Sequence, residues 1–295
     1  MNNTCVSIMQ ALQWAACELK QSGVESPRLD AEILLGYCLN TDRASLYRDA
    51  SLDLEKGSLE HFRHCIARRA KREPVAYITG VKEFRSMSFK ITRDVLIPRP
   101  ETETMVDEVI KESRKLRIRN DSLRILEVGT GSGIVAVSLA KEINCLRVIA
   151  GDCTYGIISL ARANAQLQKV AHKIVFFVGE LCECLKVRDA SQLFEVMLCN
   201  PPYLSDSEWQ QAQPEIRNYE PERALRAGPD GLAWYRAPLP AAGHLLQSGG
   251  SIMLEIGQGQ AASVSRIIDQ TALFHPVATV NDLAGVTRLI KAQKR

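Results

Sequence analysis

From residue 123 onward, short apolar runs alternate with helical segments, and this alternation constrains the fold more than any other feature of the chain. Apolar runs bounded by turn residues are typical of buried strands. Alternating strands and helices imply a parallel sheet with helices on both of its faces. The expected strands are 123–128, 146–151, 174–179, 194–199 and 251–256, with two more near 274–280 and 286–291, and the expected helices are 132–143, 155–168, 230–247 and 258–269.

A glycine-rich turn joins the first of these strands to its helix. Glycines permit a tight turn and a close approach of the backbone to a ligand, and the helix N-terminus behind them offers unpaired N–H groups. The spacing is G-x-G-x-G followed by Ile134, so the G-x-G-x-x-G fingerprint of dinucleotide-binding folds is imperfect, and no Walker Lys-Ser/Thr pair follows. The turn consists of Gly129, Thr130, Gly131, Ser132 and Gly133.

An acidic residue and a proline-containing turn close two other strands. Asp152 follows the strand 146–151 and lies 19 residues beyond Gly133 (152 − 133), where an acid can hold two ribose hydroxyls. The carboxyl ends of parallel strands form the edge at which ligands bind in open α/β sheets. The glycine turn, Asp152 and the turn after strand 194–199 therefore predict one ligand site at that edge.

The turn after strand 194–199 has a composition suited to a planar amino group. Its two prolines restrict the backbone and remove two N–H donors, so carbonyl oxygens there can accept hydrogen bonds from a ligand. The asparagine adds another acceptor oxygen and the tyrosine a flat face. A plain Asn-Pro turn with a packing tyrosine is the alternative that the tetrapeptide alone leaves open. The turn consists of Asn200, Pro201, Pro202 and Tyr203.

The composition indicates a soluble globular protein with one large or two modest domains. The chain has 295 residues, of which 46% are hydrophobic and 24% charged. The net charge of +3 is too small to indicate a nucleic-acid partner by itself. No apolar run is long enough to span a membrane, and the segment Met1–Thr4 does not begin a secretory signal. We therefore expect a cytoplasmic protein.

Cysteine and histidine residues raise the question of a metal site. The nine cysteines are scattered, which favours reduced, mostly buried thiols. Cys182-Glu183-Cys184 and His61-x-x-His64-Cys65 contain potential ligands. Neither group has a second ligand pair at zinc spacing, so no metal site is expected.

The segment before residue 98 is predicted to be helical and then to form a hairpin. Helical spacing extends from residue 4 to about 73, and Thr41 or Asp42 is expected to cap a short third helix. The fourth helix, 55–72, ends in a basic run that we interpret as a solvated face, with contact to RNA or to a ribosome-associated partner as the alternative. After Pro74, residues 77–84 and 87–91 are expected to pair as strands. The loop 97–103 contains two prolines and an arginine, followed by acids that begin a helix. It is interpreted either as a well-capped helix start or as a rigid loop that lies against a cofactor.

The chain resembles the HemK-type glutamine methyltransferases that modify peptide-chain release factors. The resemblance extends over essentially the whole length, and its most specific part is the run Pro-Arg-Pro-Glu-Thr-Glu at 98–103. Asn-Pro-Pro-Tyr alone is also found in DNA and RNA amino-methyltransferases. The other matching segments are 74–80, 95–97, 129–133, 200–203, 219–221 and 254–257.

The resemblance implies a class I, seven-stranded, Rossmann-like methyltransferase domain at 98–295, a helical substrate-recognition domain at 1–74 and a hairpin linker at 75–97. It implies S-adenosyl-L-methionine as methyl donor and the glutamine of the Gly-Gly-Gln loop of release factors as substrate. A monomer that binds neither membranes nor nucleic acid directly is expected. The implied catalytic residues are Asn200, Pro201, Pro202 and Tyr203, and the implied cofactor-binding residues are Gly129, Thr130, Gly131, Ser132, Gly133, Asp152, Glu180, Leu181 and Asn200.

Two acidic positions differ from the commonest pattern of the family. Glu127 and Glu180 stand where aspartate is common. The residues by themselves leave three alternative functions open. They are an adenine or guanine amino-methyltransferase acting on DNA or RNA, an NAD-dependent oxidoreductase, and a non-catalytic binding protein. Ile134 in place of the third fingerprint glycine argues against the oxidoreductase.

Overall fold

The helical segment before residue 80 and the alternating segment after residue 123 belong to different units of the structure. The computed structural model describes residues 6–116, 123–182, 184–185 and 193–295. One unit, here called the helical unit, comprises Met1–Val81 and Gln213–Tyr219. The other, the sheet unit, comprises Lys82–Ala212 and Glu220–Arg295. No helix within the described ranges is both long and apolar enough to cross a membrane.

The helices of the helical unit begin where the sequence provides caps. Ser7 and Gln10 form a reciprocal capping box at the start of α1, which satisfies two backbone donors. Asp42 accepts from the Ser45 N–H, which confirms the predicted cap of the short third helix. Leu12, Leu34 and other fully buried side chains form one core. The helices are α1 (Ile8–Gln21), α2 (Pro27–Leu39), α3 (Arg43–Arg48), α4 (Lys56–Ala70) and α5 (Val75–Thr79).

The basic end of α4 is occupied by ion pairs within the helical unit rather than forming a solvated face. Arg69 is 7% exposed and contacts both Asp30 and Glu215. Arg72 makes two hydrogen bonds to the Glu215 carboxylate. Glu215 lies on the short helix α10 (Pro214–Tyr219), which is far from α4 in sequence. The prediction of a solvated basic face was therefore wrong for these arginines, since distant carboxylates pair with them.

The predicted hairpin is present but shorter than expected. Residues 77–79 were predicted as strand and instead belong to α5, because Pro74 begins that helix and Gly80 ends it with φ +72°. The strands are β1 (Val81–Phe84) and β2 (Met87–Lys90). In the sheet unit, Asn164 accepts from the Lys90 N–H and donates to the Lys90 carbonyl, which fixes β2 to the helix α8 (Tyr155–Leu167).

Seven strands form the sheet of the sheet unit, in the order β5-β4-β3-β6-β7-β9-β8. The sheet is parallel except for β9, which runs antiparallel to both of its neighbours. All seven predicted strands are confirmed, but a uniformly parallel sheet was not correct. The strands are β3 (Leu123–Val128), β4 (Leu146–Asp152), β5 (Ile174–Val178), β6 (Phe194–Cys199), β7 (Leu246–Glu255), β8 (Ala278–Asn281) and β9 (Thr287–Gln293).

The helices of the sheet unit follow the predicted pattern except in one segment. Residues 230–247 were predicted as one helix and form two short ones, because Pro238 starts a new helix and β7 already begins at Leu246. The helices are α6 (Glu103–Leu116), α7 (Ile134–Glu142), α8 (Tyr155–Leu167), α9 (Asp206–Gln211), α11 (Ala233–Arg236), α12 (Pro238–Leu245) and α13 (Ala261–Asp269).

Gly133→Ala is expected to lower the free energy of unfolding by roughly 2–4 kcal/mol, from a strained backbone and overpacking together. Gly133 has φ +79°, and a Cβ there would lie 3.0 Å from the Ala161 Cβ of α8. Urea unfolding measures the change. Gly156→Ala, on the open face of α8 where a Cβ meets nothing within 4 Å, is the matched control. Equal stability of the two variants would contradict the close approach at Gly133.

Candidate functional site

The strand order reverses between β3 and β6, and this reversal places the predicted site residues together. From β3 the chain proceeds outward to β4 and β5, and from β6 it proceeds in the other direction to β7. Val128 pairs with Cys199, so the glycine turn and Asn200 leave adjacent strands at the same level. Such a switch point opens a crevice at the carboxyl ends of the strands.

Glu127, near the end of β3, fixes the glycine turn through hydrogen bonds. The Glu127 Oε2 accepts from the Thr130 hydroxyl at 2.8 Å and from the Ala136 N–H at 3.2 Å. Gly133, the N-cap residue of α7, has no side chain, so Glu127 supplies the missing cap from the preceding strand. Burial raises the pKa of Glu127 to about 8 in spite of these hydrogen bonds. A positive charge in the crevice would lower that pKa.

Asp152 connects the ends of β3 and β4. Its Oδ2 accepts from the Gly131 N–H and its Oδ1 from the Cys153 N–H, both at 2.8 Å. Each carboxylate oxygen has a second lone pair, so the group keeps acceptor capacity for ligand hydroxyls. The carboxylate therefore fixes the glycine turn and still faces the cavity, of which it is a lining residue.

The side chain of Asn200 is oriented by Thr102. The Asn200 Nδ2 donates to the Thr102 hydroxyl at 3.5 Å, from the 3₁₀ turn Pro100–Thr102. Neither the Asn200 Oδ1 nor the Pro201 carbonyl accepts a hydrogen bond from the described part of the chain. Both residues line the cavity. Two acceptor oxygens from consecutive residues thus have no hydrogen-bond donor among the residues that the structure describes.

Tyr203 lies behind this turn rather than on the cavity wall. It packs against the core of the sheet unit, and its carbonyl accepts from the Gln260 side chain at 2.9 Å. Gln260 in turn accepts from the Tyr235 hydroxyl at 2.7 Å. Burial raises the pKa of Tyr203 to about 12. The contacts of Gln260 and Tyr235 hold the backbone of the Asn-Pro-Pro-Tyr turn, and no sequence pattern had singled out either residue.

One cavity of about 400 Å³ connects the predicted residues, a volume typical of small-molecule sites. Gly133 and Tyr203 are the two predicted residues that do not line it. The predicted lining residues are Gly129, Thr130, Gly131, Ser132, Asp152, Glu180, Leu181, Asn200, Pro201 and Pro202.

Glu180 is paired across the cavity rim. The Arg223 Nη2 donates to both Glu180 oxygens at 2.7 Å, and the two side chains are about half exposed. Both residues line the cavity, as does Trp234. No sequence pattern singled out Trp234, which lies on α11, or Arg223. Arg223 lies in the segment 203–230, which has few strand signals. That segment forms helices α9 and α10 and the 3₁₀ turn Glu222–Ala224.

The loop 97–103 lies against the cavity, and its contact with a cofactor stays a prediction. Pro98, Arg99 and Thr102 line it. The buried Glu220 fixes the loop, since its carboxylate accepts from the Ile97 N–H at 3.1 Å and from the Arg99 guanidinium. Glu220 thus explains why the Tyr-Glu-Pro segment at 219–221 accompanies the Pro-Arg-Pro segment.

Glu255 is a buried acid beside Asn200. Cys199 pairs with Leu254, so Asn200 and Glu255 follow on adjacent strands. The Glu255 carboxyl group is 3% exposed, and its Oε2 has no hydrogen-bond partner among the described residues. Burial raises the pKa of Glu255 to about 7, against hydrogen bonds from Thr102 and Asn200 that lower it. Glu255 is therefore a buried acid next to Asn200 in the sheet, and it does not line the cavity.

Glu255→Gln is expected to change how stability depends on pH. A pKa raised from 4.5 to about 7 favours folding below pH 4.5, and this contribution is lost as the pH rises through about 7. The shift corresponds to about 3 kcal/mol at full ionisation. We therefore expect the free energy of unfolding of the variant, relative to that of the natural chain, to be higher at pH 8 than at pH 5. Urea unfolding at the two pH values measures this difference. The exposed Glu142→Gln on α7 is the control, and a pH-independent difference for Glu255→Gln would contradict the raised pKa.

The fold and the cavity at its switch point define a class I, S-adenosylmethionine-dependent methyltransferase. Residues 125–219 match the model of a methyltransferase domain family, and residues 10–80 match that of the PrmC N-terminal domain. A release factor glutamine methyltransferase of Geobacter sulfurreducens is 37% identical over 284 residues, which cover 96% of this chain and 95% of that protein. The chain belongs to the release factor glutamine methyltransferase family.

Other comparisons agree with this assignment. The release factor glutamine methyltransferase of Rhodopirellula baltica is 33% identical, with 99% of this chain and 98% of that protein covered. That of Coxiella burnetii is 36% identical, with 92% and 93% covered. The hMettl16 catalytic domain, solved in complex with MAT2A 3′UTR hairpin 1, is similar with a TM-score of 0.54 at 12% identity, covering 83% of each chain. The last likeness concerns the fold alone.

Proposed function

We propose that this chain transfers the methyl group of S-adenosylmethionine to the N5 side-chain amide nitrogen of the glutamine in the Gly-Gly-Gln motif of peptide-chain release factors. The observation that carries the proposal is the pair of acceptors at the cavity wall, Asn200 Oδ1 and the Pro201 carbonyl, to which none of the described residues donates a hydrogen bond. A primary amide offers two N–H donors, which this pair can accept together.

The chemistry requires positioning more than acid–base catalysis. An amide nitrogen is a poor nucleophile, because its lone pair is delocalised into the carbonyl group. Orientation of reacting groups can contribute roughly 7–11 kcal/mol to lowering a barrier. Asn200 Oδ1 and the Pro201 carbonyl accept the two amide hydrogens, aim the nitrogen and stabilise the positive charge that develops on it. The product amide has one hydrogen fewer, and the proton leaves to solvent. Tyr203, which lies behind this turn and does not line the cavity, supports the turn through its packing in the core of the sheet unit.

The methyl donor fits the residues at the ends of β3 and β4. S-adenosylmethionine supplies an activated methyl group on a sulfonium. The turn of Gly129, Thr130, Gly131, Ser132 and Gly133 borders the amino-acid end of the donor, and a Cβ at Gly129 or Gly131 would meet nothing within 4 Å, so the backbone is open to the cavity. The buried, negatively charged form of Glu127 is favoured by a nearby cation. Asp152 accepts from the ribose hydroxyls, and Glu180 and Leu181 lie at the adenine end.

Further features of the protein follow from the same proposal. Residues 1–74 form the domain that recognises the release factor. Residues 75–97 form the hairpin linker, and residues 98–295 form the domain that catalyses methyl transfer. We propose a cytoplasmic monomer that binds neither a membrane nor nucleic acid directly. The pairing of Arg69 and Arg72 with Glu215 supports the last point, because it removes these cations from a free basic surface. A DNA or RNA amino-methyltransferase requires such a surface and a pocket for a flipped base.

The test is methyl transfer from labelled donor to a purified release factor, followed by peptide mass mapping. The expected result is one added methyl group on the glutamine of the Gly-Gly-Gln peptide. A release factor with Gly-Gly-Glu in its place is the control, and it should receive no label. Labelling of DNA or RNA in a parallel reaction, without labelling of the release factor, would overturn the proposed substrate while leaving the donor site intact.

A further inference from the structure

Three potential metal ligands converge in the helical unit. Cys38 lies near the end of α2, and His61 and Cys65 lie on α4. Residues four apart on a helix share a face, so the two α4 side chains point in one direction. The ligand atoms of the three residues all lie within 4.8 Å of one another. This cluster belongs to no part of the methyltransferase site.

The sulfur–sulfur distance in this cluster fits a bound metal ion. The Cys38 Sγ lies 3.8 Å from the Cys65 Sγ. Tetrahedral zinc with Zn–S bonds of about 2.3 Å holds two sulfurs about 3.8 Å apart. A disulfide bond requires a separation of about 2.05 Å. The two side chains are thus placed as ligands of one ion would be, without further approach.

The surroundings of the cluster also favour a thiophilic cation. Two of the three potential ligands are cysteine sulfurs, which are soft ligands and select thiophilic cations. Cys65 is buried whereas His61 is exposed, so an ion can enter from the surface on the histidine side. The Tyr37 ring packs edge-on to the His61 ring, with their centroids 5.7 Å apart. This contact restricts the orientation of the imidazole.

We propose that Cys38, His61 and Cys65 form a three-ligand site for Zn²⁺ or a similar thiophilic divalent ion, which joins α2 to α4. The fourth position of the tetrahedron is open to water. The sequence did not indicate this site, because no second ligand pair occurs at zinc spacing near His61 and Cys65. Cys38 is 23 residues before His61 (61 − 38) and is brought to it by helix packing.

Cobalt titration tests this proposal on the full-length chain. The reduced, chelator-treated protein is titrated with Co²⁺, and thiolate-to-cobalt absorption in the near ultraviolet and visible d–d bands are recorded. The expected result is a tetrahedral spectrum at one equivalent, which Zn²⁺ abolishes by displacement. His61→Ala should weaken binding about tenfold or more, and Cys65→Ser should remove most of the thiolate absorption.

Neighbouring residues provide matched controls. His64 is exposed on the same helix, and Cys17 is exposed on α1. His64→Ala and Cys17→Ser should leave the cobalt spectrum and affinity unchanged. No thiolate absorption with Co²⁺, equal affinity for His61→Ala and His64→Ala, or a Cys38–Cys65 disulfide in place of metal binding would each overturn the proposal. None of these readouts depends on methyl transfer, so failure here is distinguishable from failure of the proposed activity.

Discussion

Asn200→Ala is expected to lower kcat by on the order of 100-fold or more while the affinity for S-adenosylmethionine stays nearly unchanged. The variant removes Oδ1, one of two acceptors for the substrate amide, and with it the contact that fixes the nitrogen in line with the methyl group. The Pro201 carbonyl remains, so the substrate amide is held by a single acceptor and turns freely. Single-turnover methyl transfer with saturating donor measures the chemical step.

Two measurements decide whether Asn200 acts in this way. Calorimetric titration of the donor should give similar dissociation constants for the natural chain and for Asn200→Ala. Asn281→Ala, which removes an exposed asparagine of β8, should change neither quantity. A parallel collapse of donor affinity would place Asn200 in the donor site rather than against the substrate amide.

Asp152→Ala is expected to raise the dissociation constant of the donor about 10- to 100-fold, with a smaller effect on kcat at saturating donor. Hydrogen bonds to charged groups contribute about 1.5–3 kcal/mol, and each 1.4 kcal/mol corresponds to a factor of ten. The substitution removes the acceptors for the ribose and releases the Gly131 N–H, so contacts to the ribose and to the amino-acid end of the donor are both affected.

Two further substitutions separate these contributions. Asp152→Asn keeps one acceptor oxygen. It should therefore lower the affinity for the donor less than Asp152→Ala does, as measured by calorimetry. Glu180→Gln should have a smaller effect than either, because Arg223 already occupies both of its oxygens. Unchanged donor affinity in Asp152→Ala would remove this residue from the ribose site.

The positions of the strands and of the principal site residues were predictable because they depend on local patterns. A buried parallel strand is an apolar run, and the turn after it must contain residues that suit its backbone. Gly131 and Asp152 could thus be placed at neighbouring strand ends, and the structure joins them by a hydrogen bond. The antiparallel direction of β9 was not predictable in this way, since an apolar run has no direction of its own.

Contacts between distant segments account for most of what the sequence did not reveal. Glu255 was recognisable only as part of a family motif, and its burial beside Asn200 follows from strand order. Arg223 comes from a segment without strand signals. Glu215 pairs with Arg72 across 143 residues, so the state of the basic run could not be inferred from its own helix.

The helical unit is discontinuous in sequence, because α10 returns to it from the middle of the chain. A gene fragment that ends at residue 81 would therefore encode an incomplete fold, in which Arg69 is left without one of its carboxylates and Arg72 without Glu215. Such a unit cannot be added to or removed from a methyltransferase at a single junction. Recombination that exchanges only the N-terminal portion between relatives must preserve the match between α4 and α10. The N-terminal helical segment and the segment that contains α10, after the Asn-Pro-Pro-Tyr turn, must therefore be inherited together.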